Sequence, residues 1–296
     1  MYSNTNLIKI YNNLTNRNIV TVDGFPYLSV DKSNTLLVKD ILYHKSYTYD
    51  NRPVPDINTI KLWLKNEDSN KGKFQSASIL KNCGRKSGAI IFSSGLWYKD
   101  FVSWIIPPPK NFTLIGCNRV LDEIKCKSFY MANNPYKDVC SFLPFKKAVN
   151  QNITGIFASR TYPDFINNFR GQKFFYVPPN NKHCRTHLLG DNAPVLEDFQ
   201  TIIVSAIHFA AWAGFNPIVL CSCDNAFEEN RPGSIDIGDG RHIYPQHLKT
   251  YALIKGCIFW LQKHGIQVYN SSAGIDIKGC SYKRIDQIIS GIENNE

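Results

Sequence analysis

Residues 201–224, TIIVSAIHFAAWAGFNPIVLCSCD, contain the pattern that decides the fold of this chain. Apolar residues recur with helical spacing over 196–213, Gly214 interrupts that spacing, and a short apolar run over 217–223 ends at Asp224. A helix, a glycine turn and a short apolar strand in this order make one unit of an alternating α/β arrangement.

The same alternation extends over most of the chain. Short apolar runs that are followed by polar turns predict seven strands, at 89–92, 112–115, 128–131, 155–158, 174–177, 218–221 and 266–269. Helical spacing predicts helices at 98–105, 163–169, 196–213 and 246–264. Alternating strands and helices favour a Rossmann-like α/β fold, with a mainly parallel sheet and helices on both faces.

The first part of the chain has a different pattern. Strand-like pieces at 19–22 and 35–38 are separated by Asn, Asp, Pro and Gly, and the polar segment 66–76 is typical of a linker or loop. We therefore expect a small N-terminal accessory segment, 1–83, followed by the Rossmann-like domain at 84–296.

Composition narrows the class of protein. The chain has 296 residues, of which 43% are hydrophobic, so it can bury a large core. No apolar stretch approaches the roughly 18 residues that a membrane span needs, which argues against a transmembrane protein. The polar, Asn-rich residues 1–13 lack the order of a secretory signal, so a cytoplasmic location is expected.

The net charge of +10 favours anionic ligands or surfaces. The basic residues are scattered in short pairs such as Lys146-Lys147, which is not typical of a nucleic-acid-binding arm. A phosphate-bearing small molecule fits this pattern better, and an acidic membrane surface stays an alternative.

Nine cysteines are present, an odd number, and several lie in apolar runs, as Cys221 and Cys223 do. Buried, reduced thiols are the expected state. The most metal-like cluster, His183, Cys184 and His187, lacks a second pair of ligands at a useful spacing, so we expect no metal site.

Ligands of parallel α/β sheets bind at the carboxyl ends of the strands, so the residues after each apolar run form the candidate site. Ser94 and Gly95 follow the first predicted strand and would let backbone amides approach an anion, or form an ordinary turn. Asn118 and Asn134 follow the next two strands. Their side-chain amides can recognise a nucleobase or ribose, or they can serve as turn formers.

The strand of the opening stretch ends at Asp224, which can bind a sugar hydroxyl or a metal, or cap a loop. Residues 225–241 are rich in Gly, Asp and Glu and predict a mobile lid. His242 ends this segment at the rim of the predicted cleft, which makes it a candidate general base.

Together these motifs resemble the bacterial CMP-sialic-acid sialyltransferases of glycosyltransferase family 42 and the related MptE-like and motility-accessory-factor proteins. The resemblance spans about residues 87–289 and consists of short motifs in a shared order. The motifs are Gly116-Cys117-Asn118, the strand 127–135 that ends in Asn134-Pro135, Thr201 at the start of a helix that runs to Gly214-Phe215, Asp224, Arg241-His242-Ile243-Tyr244 and the closing segment 265–270.

The resemblance implies a glycosyltransferase that moves a sugar from a nucleotide donor, a CMP-sugar first, to a hydroxyl of a glycan or another acceptor. It implies no metal and no cofactor besides the donor. The residues that it places at the nucleotide are Ser94, Gly95, Asn118, Asn134, Thr201 and Asp224. His242 would deprotonate the acceptor, while Arg241 and Tyr244 would supply charge or a hydrogen bond. No nucleic-acid partner is expected, and peripheral membrane association and oligomerisation stay open.

Two alternatives remain. The MptE-like branch includes a pterin diphosphokinase that uses ATP with magnesium held by acidic residues, but this chain has Asn133-Asn134-Pro135 where those acids are expected. Glycosyl transfer therefore ranks first and 6-hydroxymethylpterin diphosphokinase second. The third alternative is a catalytically silent nucleotide-sugar-binding or structural protein.

Overall fold

The computed structural model describes most of the α/β region and part of the N-terminal segment. The described residues are 20–22, 25–30, 36–40, 45–49, 57–73, 75–95, 98–137, 152–178, 194, 196, 201–224, 226, 228, 232–236, 240–243, 254, 257–258, 261–272, 280 and 282–293. Before residue 61 the description covers the backbone alone.

The fold is α/β and Rossmann-like, built on an eight-stranded parallel sheet. Its strands in chain order are β5 (Gln75–Ser76), β6 (Gly88–Phe92), β7 (Phe112–Cys117), β8 (Ser128–Ala132), β9 (Ile153–Ala158), β10 (Lys173–Tyr176), β11 (Ile218–Cys221) and β14 (Val268–Ser271). Their order across the sheet is β14-β11-β6-β7-β8-β9-β10-β5. The chain therefore reverses its direction of growth at β6, between β7 on one side and β11 on the other.

Two smaller sheets accompany it. Strands β1 (Val20–Val22), β2 (Phe25–Val30), β3 (Leu36–Asp40) and β4 (Lys45–Tyr49) form a four-stranded antiparallel sheet. Strands β12 (Ile235–Asp236) and β13 (His242–Ile243) pair with each other in antiparallel fashion.

Helices cover both faces of the large sheet. They are α1 (Ile57–Asn70), α2 (Tyr98–Ile105), α3 (Pro163–Asn168), α4 (Ile202–Trp212) and α5 (Ile285–Glu293), with further helical residues at 254, 257, 258 and 261–263. Successive strand residues point to opposite faces. Accordingly Ile91 of β6 packs with α4 and Leu261 in one apolar cluster, while its neighbour Ile90 packs with α2, α3 and α5 in another.

Local sequence explains where α4 begins and ends. The Thr201 hydroxyl caps the helix by accepting a hydrogen bond from the Ile203 amide, at 3.3 Å. At the other end Gly214 has a φ of +86° and the Phe215 amide donates to the Ala210 carbonyl. A residue without a Cβ ends the helix in this left-handed turn and directs the chain into β11.

The seven predicted strands of the α/β region are confirmed, with ends shifted by no more than two residues. The prediction of a linker or loop at 66–76 is wrong, because α1 continues to Asn70 and Gln75–Ser76 form β5 beside β10. The polar residues of segment 66–76 include buried ones, such as Asn66 and Asn70, and the sequence alone does not distinguish them from the exposed polar residues of a loop. The boundary between residues 83 and 84 stays a prediction.

Candidate functional site

Four of the predicted site segments lie along one edge of the sheet. The carboxyl ends of β11, β6, β7 and β8 are neighbours in that order, and they lead to Asp224, Ser94-Gly95, Asn118 and Asn134. With strands ~4.8 Å apart, this row spans ~14 Å. The edge thus brings together residues from four separate parts of the chain.

The loops after β6 and β11 are in close contact at the point where the strand order reverses. The Gly95 amide donates to the Ser222 carbonyl at 2.9 Å, and the Ser93 amide donates to the Cys221 carbonyl at 3.1 Å. A Cβ on Gly95 would overlap the Asp224 carboxylate and lie 2.5 Å from the Ser222 carbonyl oxygen. Gly95 is therefore required for close approach of the two loops, and its amide is already hydrogen-bonded within the protein.

Asp224 is fully buried against the loop that holds Gly95. Its Oδ1 accepts a hydrogen bond from the Ala226 amide at 3.2 Å, which caps the loop after β11. The end of β14 also holds the loop after β11 in place. The Cys223 amide donates to Ser272 Oγ at 2.8 Å, and the Ser272 amide donates to Asn270 Oδ1 at 3.0 Å. The loop-capping alternative for Asp224 is thus present in the structure, and its ligand role stays a prediction.

Asn118 and Asn134 follow neighbouring parallel strands, as predicted, at the same edge of the sheet. Cys117 pairs with Met131, so Asn118 is level with the end of β8, and Asn134 lies two residues beyond that end. The side-chain oxygen of Asn134 accepts a hydrogen bond from the Tyr136 amide at 2.9 Å. This contact is the turn-forming role, while recognition of a nucleotide by either asparagine stays a prediction.

A network of buried polar residues lies at the ends of β8 and β9, and it was not predicted from the sequence. Asn66 Nδ2 donates to the carbonyls of Pro135 and Arg160 at 2.9 and 3.0 Å, and Asn70 Nδ2 donates to those of Ser159 and Thr161 at 3.0 and 2.9 Å. Helix α1 therefore fixes the loops after both strands. Its residues at positions 63, 66, 67 and 70 share one helical face, and this spacing is the signal that could have revealed it.

The same network contains charged groups. Glu67 is fully buried and accepts a hydrogen bond from Ser159 Oγ at 3.0 Å. The Arg160 guanidinium lies 4.0 Å from the ring centroid of Trp63, a cation–π arrangement. The loop after β9 thus contains a buried cation, Arg160, and contacts a buried carboxylate, Glu67 of α1.

Thr201 lies at the start of α4, where its hydroxyl is used as the helix cap. The helix follows β10 and leads to the beginning of β11, so its first residues start from the carboxyl side of the sheet. A contact of Thr201 with a nucleotide stays a prediction.

His242 lies in β13, where it pairs with Asp236 of β12. Its side chain is half-buried, and within the described residues its Nδ1 is buried without a hydrogen-bond partner. Arg241 precedes it and is also half-buried, whereas Tyr244 lies outside the described residues. Part of the predicted lid therefore has β structure, and its mobility stays a prediction.

The thiols at this edge are chemically inert. Burial raises the pKa of Cys117, Cys221 and Cys223 well above that of an exposed thiol, so they stay protonated at neutral pH. The described part of the chain holds no cluster of three or more residues suited to a metal ion. Among the described helices none is long and apolar enough to cross a membrane.

Comparison with known proteins yields a structural similarity alone. No protein-family profile matches the sequence, and no curated protein matches it either. Among solved structures, the MAf glycosyltransferase from Magnetospirillum magneticum AMB-1 is similar with a TM-score of 0.58 and 14% sequence identity. The similarity covers 76% of this chain and 38% of that protein, and it shows that the two share a fold.

Proposed function

We propose that this chain is a glycosyltransferase that moves a sugar from a nucleotide donor, a CMP-sugar first, to a hydroxyl acceptor. The observation that carries the proposal is the reversal of strand order between β6 and β11, the position beside which ligands bind in doubly wound sheets. The fold shared with a glycosyltransferase supports it.

The nucleotide would lie along the strand ends that lead to Ser94, Asn118 and Asn134, with Gly95, Thr201 and Asp224 shaping the loops beneath it. His242 would accept the acceptor proton while the acceptor oxygen bonds to the anomeric carbon and the bond from that carbon to the phosphate breaks. Arg241 and Tyr244 would stabilise the departing CMP. No metal is needed for this step, because protein groups carry the charge.

Ligand-induced thermal stabilisation tests the donor, with CMP, UDP, GDP and ATP each measured with and without magnesium. A ligand that binds only the folded state raises its apparent stability. We expect the largest shift from CMP, without magnesium. A shift produced solely by magnesium-ATP would replace glycosyl transfer with the diphosphokinase, and no shift from any nucleotide would favour the structural protein.

A pair of asparagine variants tests the position of the site. Asn118→Ala should weaken CMP binding about tenfold, the effect of about 1.4 kcal/mol of lost interaction. The control is Asn152→Ala, because Asn152 is exposed and precedes β9 at the opposite edge of the sheet. Equal CMP affinity of both variants and the wild type would remove Asn118 from the site.

A further inference from the structure

The loop after β8, residues 133–136, carries Asn134, one of the residues proposed to contact the nucleotide. Asn134 precedes Pro135, and the residue before a proline is restricted to extended backbone conformations. Pro135 has no N–H, so its carbonyl is the one backbone group through which a hydrogen bond can hold it. The partner of that carbonyl therefore helps to fix the loop.

Hydrogen bonds from two other segments hold this loop. The Tyr162 amide, from the loop after β9, donates to the Asn134 carbonyl at 3.0 Å. From α1, Asn66 Nδ2 donates to the Pro135 carbonyl at 2.9 Å. Within the loop, the Tyr136 amide donates to Asn134 Oδ1 at 2.9 Å and so orients the Asn134 side chain.

Asn66 links the loop after β8 to the loop after β9. Its Nδ2 also donates to the Arg160 carbonyl, at 3.0 Å. A side-chain amide nitrogen has two hydrogens to donate, and here they bind backbone carbonyls of two different loops. Asn66 therefore fixes the positions of these two loops relative to each other.

Attachment of α1 does not require the hydrogen bond to Pro135. One turn further along the same helical face, Asn70 Nδ2 donates to the carbonyls of Ser159 and Thr161, both in the loop after β9. Asn66 is 3% exposed and Asn70 is 5% exposed. The two asparagines thus match in chemistry and burial, and they differ in that Asn66 binds the loop that carries Asn134.

We infer that Asn66 is a positioning residue of the candidate site, which holds the loop after β8 so that Asn134 meets the nucleotide. The inference rests on the proposed function, since it takes Asn134 to contact the donor. Asn66 acts through Asn134 and not by contact with the ligand. A polar group that is already held in its binding position loses less freedom when the ligand arrives, so removal of its support lowers affinity.

Comparison of Asn66→Ala with Asn70→Ala tests this inference. Each variant removes one buried amide that makes two hydrogen bonds, so both should destabilise the fold to a similar extent, as measured by urea unfolding. Isothermal titration calorimetry measures CMP affinity at a temperature at which both variants are folded. Asn66→Ala should weaken CMP binding about three- to tenfold, and Asn70→Ala less than about twofold.

A double-variant comparison shows whether Asn66 acts through Asn134. In an Asn134→Ala background, Asn66→Ala should change CMP affinity less than about twofold, because the side chain that it positions is gone. A general loss of stability would not depend on Asn134 in this way.

A second measurement needs no ligand. Hydrogen exchange of the Tyr136 amide, followed by NMR, reports the hydrogen bond of that amide to Asn134 Oδ1. Exchange should be at least about threefold faster in Asn66→Ala than in Asn70→Ala, because only the first variant releases the Pro135 carbonyl.

Equal CMP affinity of the two single variants overturns the inference, and so does an undiminished effect of Asn66→Ala in the Asn134→Ala background. A wild type that binds no CMP contradicts the proposed function instead. The Tyr136 amide then decides the inference: faster exchange in Asn66→Ala alone supports a positioned loop, and equal exchange in both variants overturns it.

Discussion

At the residue scale, the proposed role of His242 as general base leads to a prediction about catalysis. His242→Ala should lower the release of CMP from a CMP-sugar about 100- to 10,000-fold, the usual effect of removing a positioned general base. CMP affinity should stay within about twofold, because the histidine acts on the acceptor.

The control for that prediction is His264→Ala, because His264 is exposed near the start of β14, at the opposite edge. Initial rates and isothermal titration calorimetry measure the two quantities. Similar rates for the two variants would remove His242 from the role of base.

Gly95 allows a prediction about packing. Gly95→Ala places a Cβ against Asp224 and the Ser222 carbonyl, so it should destabilise the fold by about 1–3 kcal/mol. Gly291→Ala is the control, since Gly291 lies in α5 with open space around it, and should be neutral or slightly stabilising. Urea unfolding measures both changes. A Gly95→Ala protein as stable as the wild type would show that the two loops can separate.

Burial of His208 in α4 predicts a pH dependence. Burial lowers its pKa to about 3, so the folded protein keeps it neutral while the unfolded chain, with an ordinary pKa, binds a proton below about 6.5. The unfolded state thus binds more protons between these values, and stability falls as the pH falls, by about 1.4 kcal/mol per unit.

His208→Gln removes this dependence. From pH 6.5 to 4.5 the wild type should lose about 2–3 kcal/mol more unfolding free energy than the variant, as measured by urea titration at both values. Equal losses would show that His208 is protonated in the folded state.

At the scale of elements, the contacts of α1 predict its contribution to stability. Asn70→Ala leaves the buried carbonyls of Ser159 and Thr161 without this donor, which should cost about 2–4 kcal/mol. Ser69→Ala is the matched control on the same helix, because Ser69 is exposed and its hydroxyl donates to the Lys65 carbonyl one turn earlier. A cost below that of the control would show that α1 is not held by these contacts.

The sequence predicts elements well where packing is apolar and poorly where it is polar. Strands β6 to β11 are short, mostly buried runs in which apolar residues predominate, and this pattern depends on nearby residues alone. Gln75–Ser76 have no such pattern, and β5 exists because Phe174 and Phe175 of β10 lie beside it.

The candidate site is only partly predictable, because some of its contacts join residues that are far apart in the sequence. Chain order identifies strand ends such as Asn118 and Asn134, but the partners of Gly95 lie far along the chain, on the loop after β11. Pairing across the sheet, which local sequence does not encode, brings them together.

At the scale of the whole molecule, truncation tests the predicted boundary. A chain that begins at residue 57 keeps α1 and β5, while one that begins at residue 84 lacks both and exposes the carbonyls that Asn66 and Asn70 cover. We expect the longer chain to unfold cooperatively on heating. The shorter chain should be insoluble or show no cooperative transition, and equal melting of the two would support the boundary between residues 83 and 84.

Metal removal is the corresponding test of the whole reaction. Glycosyl transfer carried by protein groups should keep its rate in EDTA, because no step assigned to these residues uses a metal ion. Release of CMP is measured before and after chelation, with added magnesium as the control. Loss of CMP release that magnesium restores would favour a metal-dependent transferase.

Both borders of the large sheet are closed by short pieces of chain. Strand β5 offers two residues beyond β10, and the outer side of β14 is met by the bridge from Asn270 to Tyr282. Fibrils and strand-swapped dimers grow from long, unpaired strands that accept a foreign chain. Within the part of the chain that the structure describes, this sheet presents only short edge segments of that kind, so concentrated solutions should resist amyloid-like deposition that starts from it.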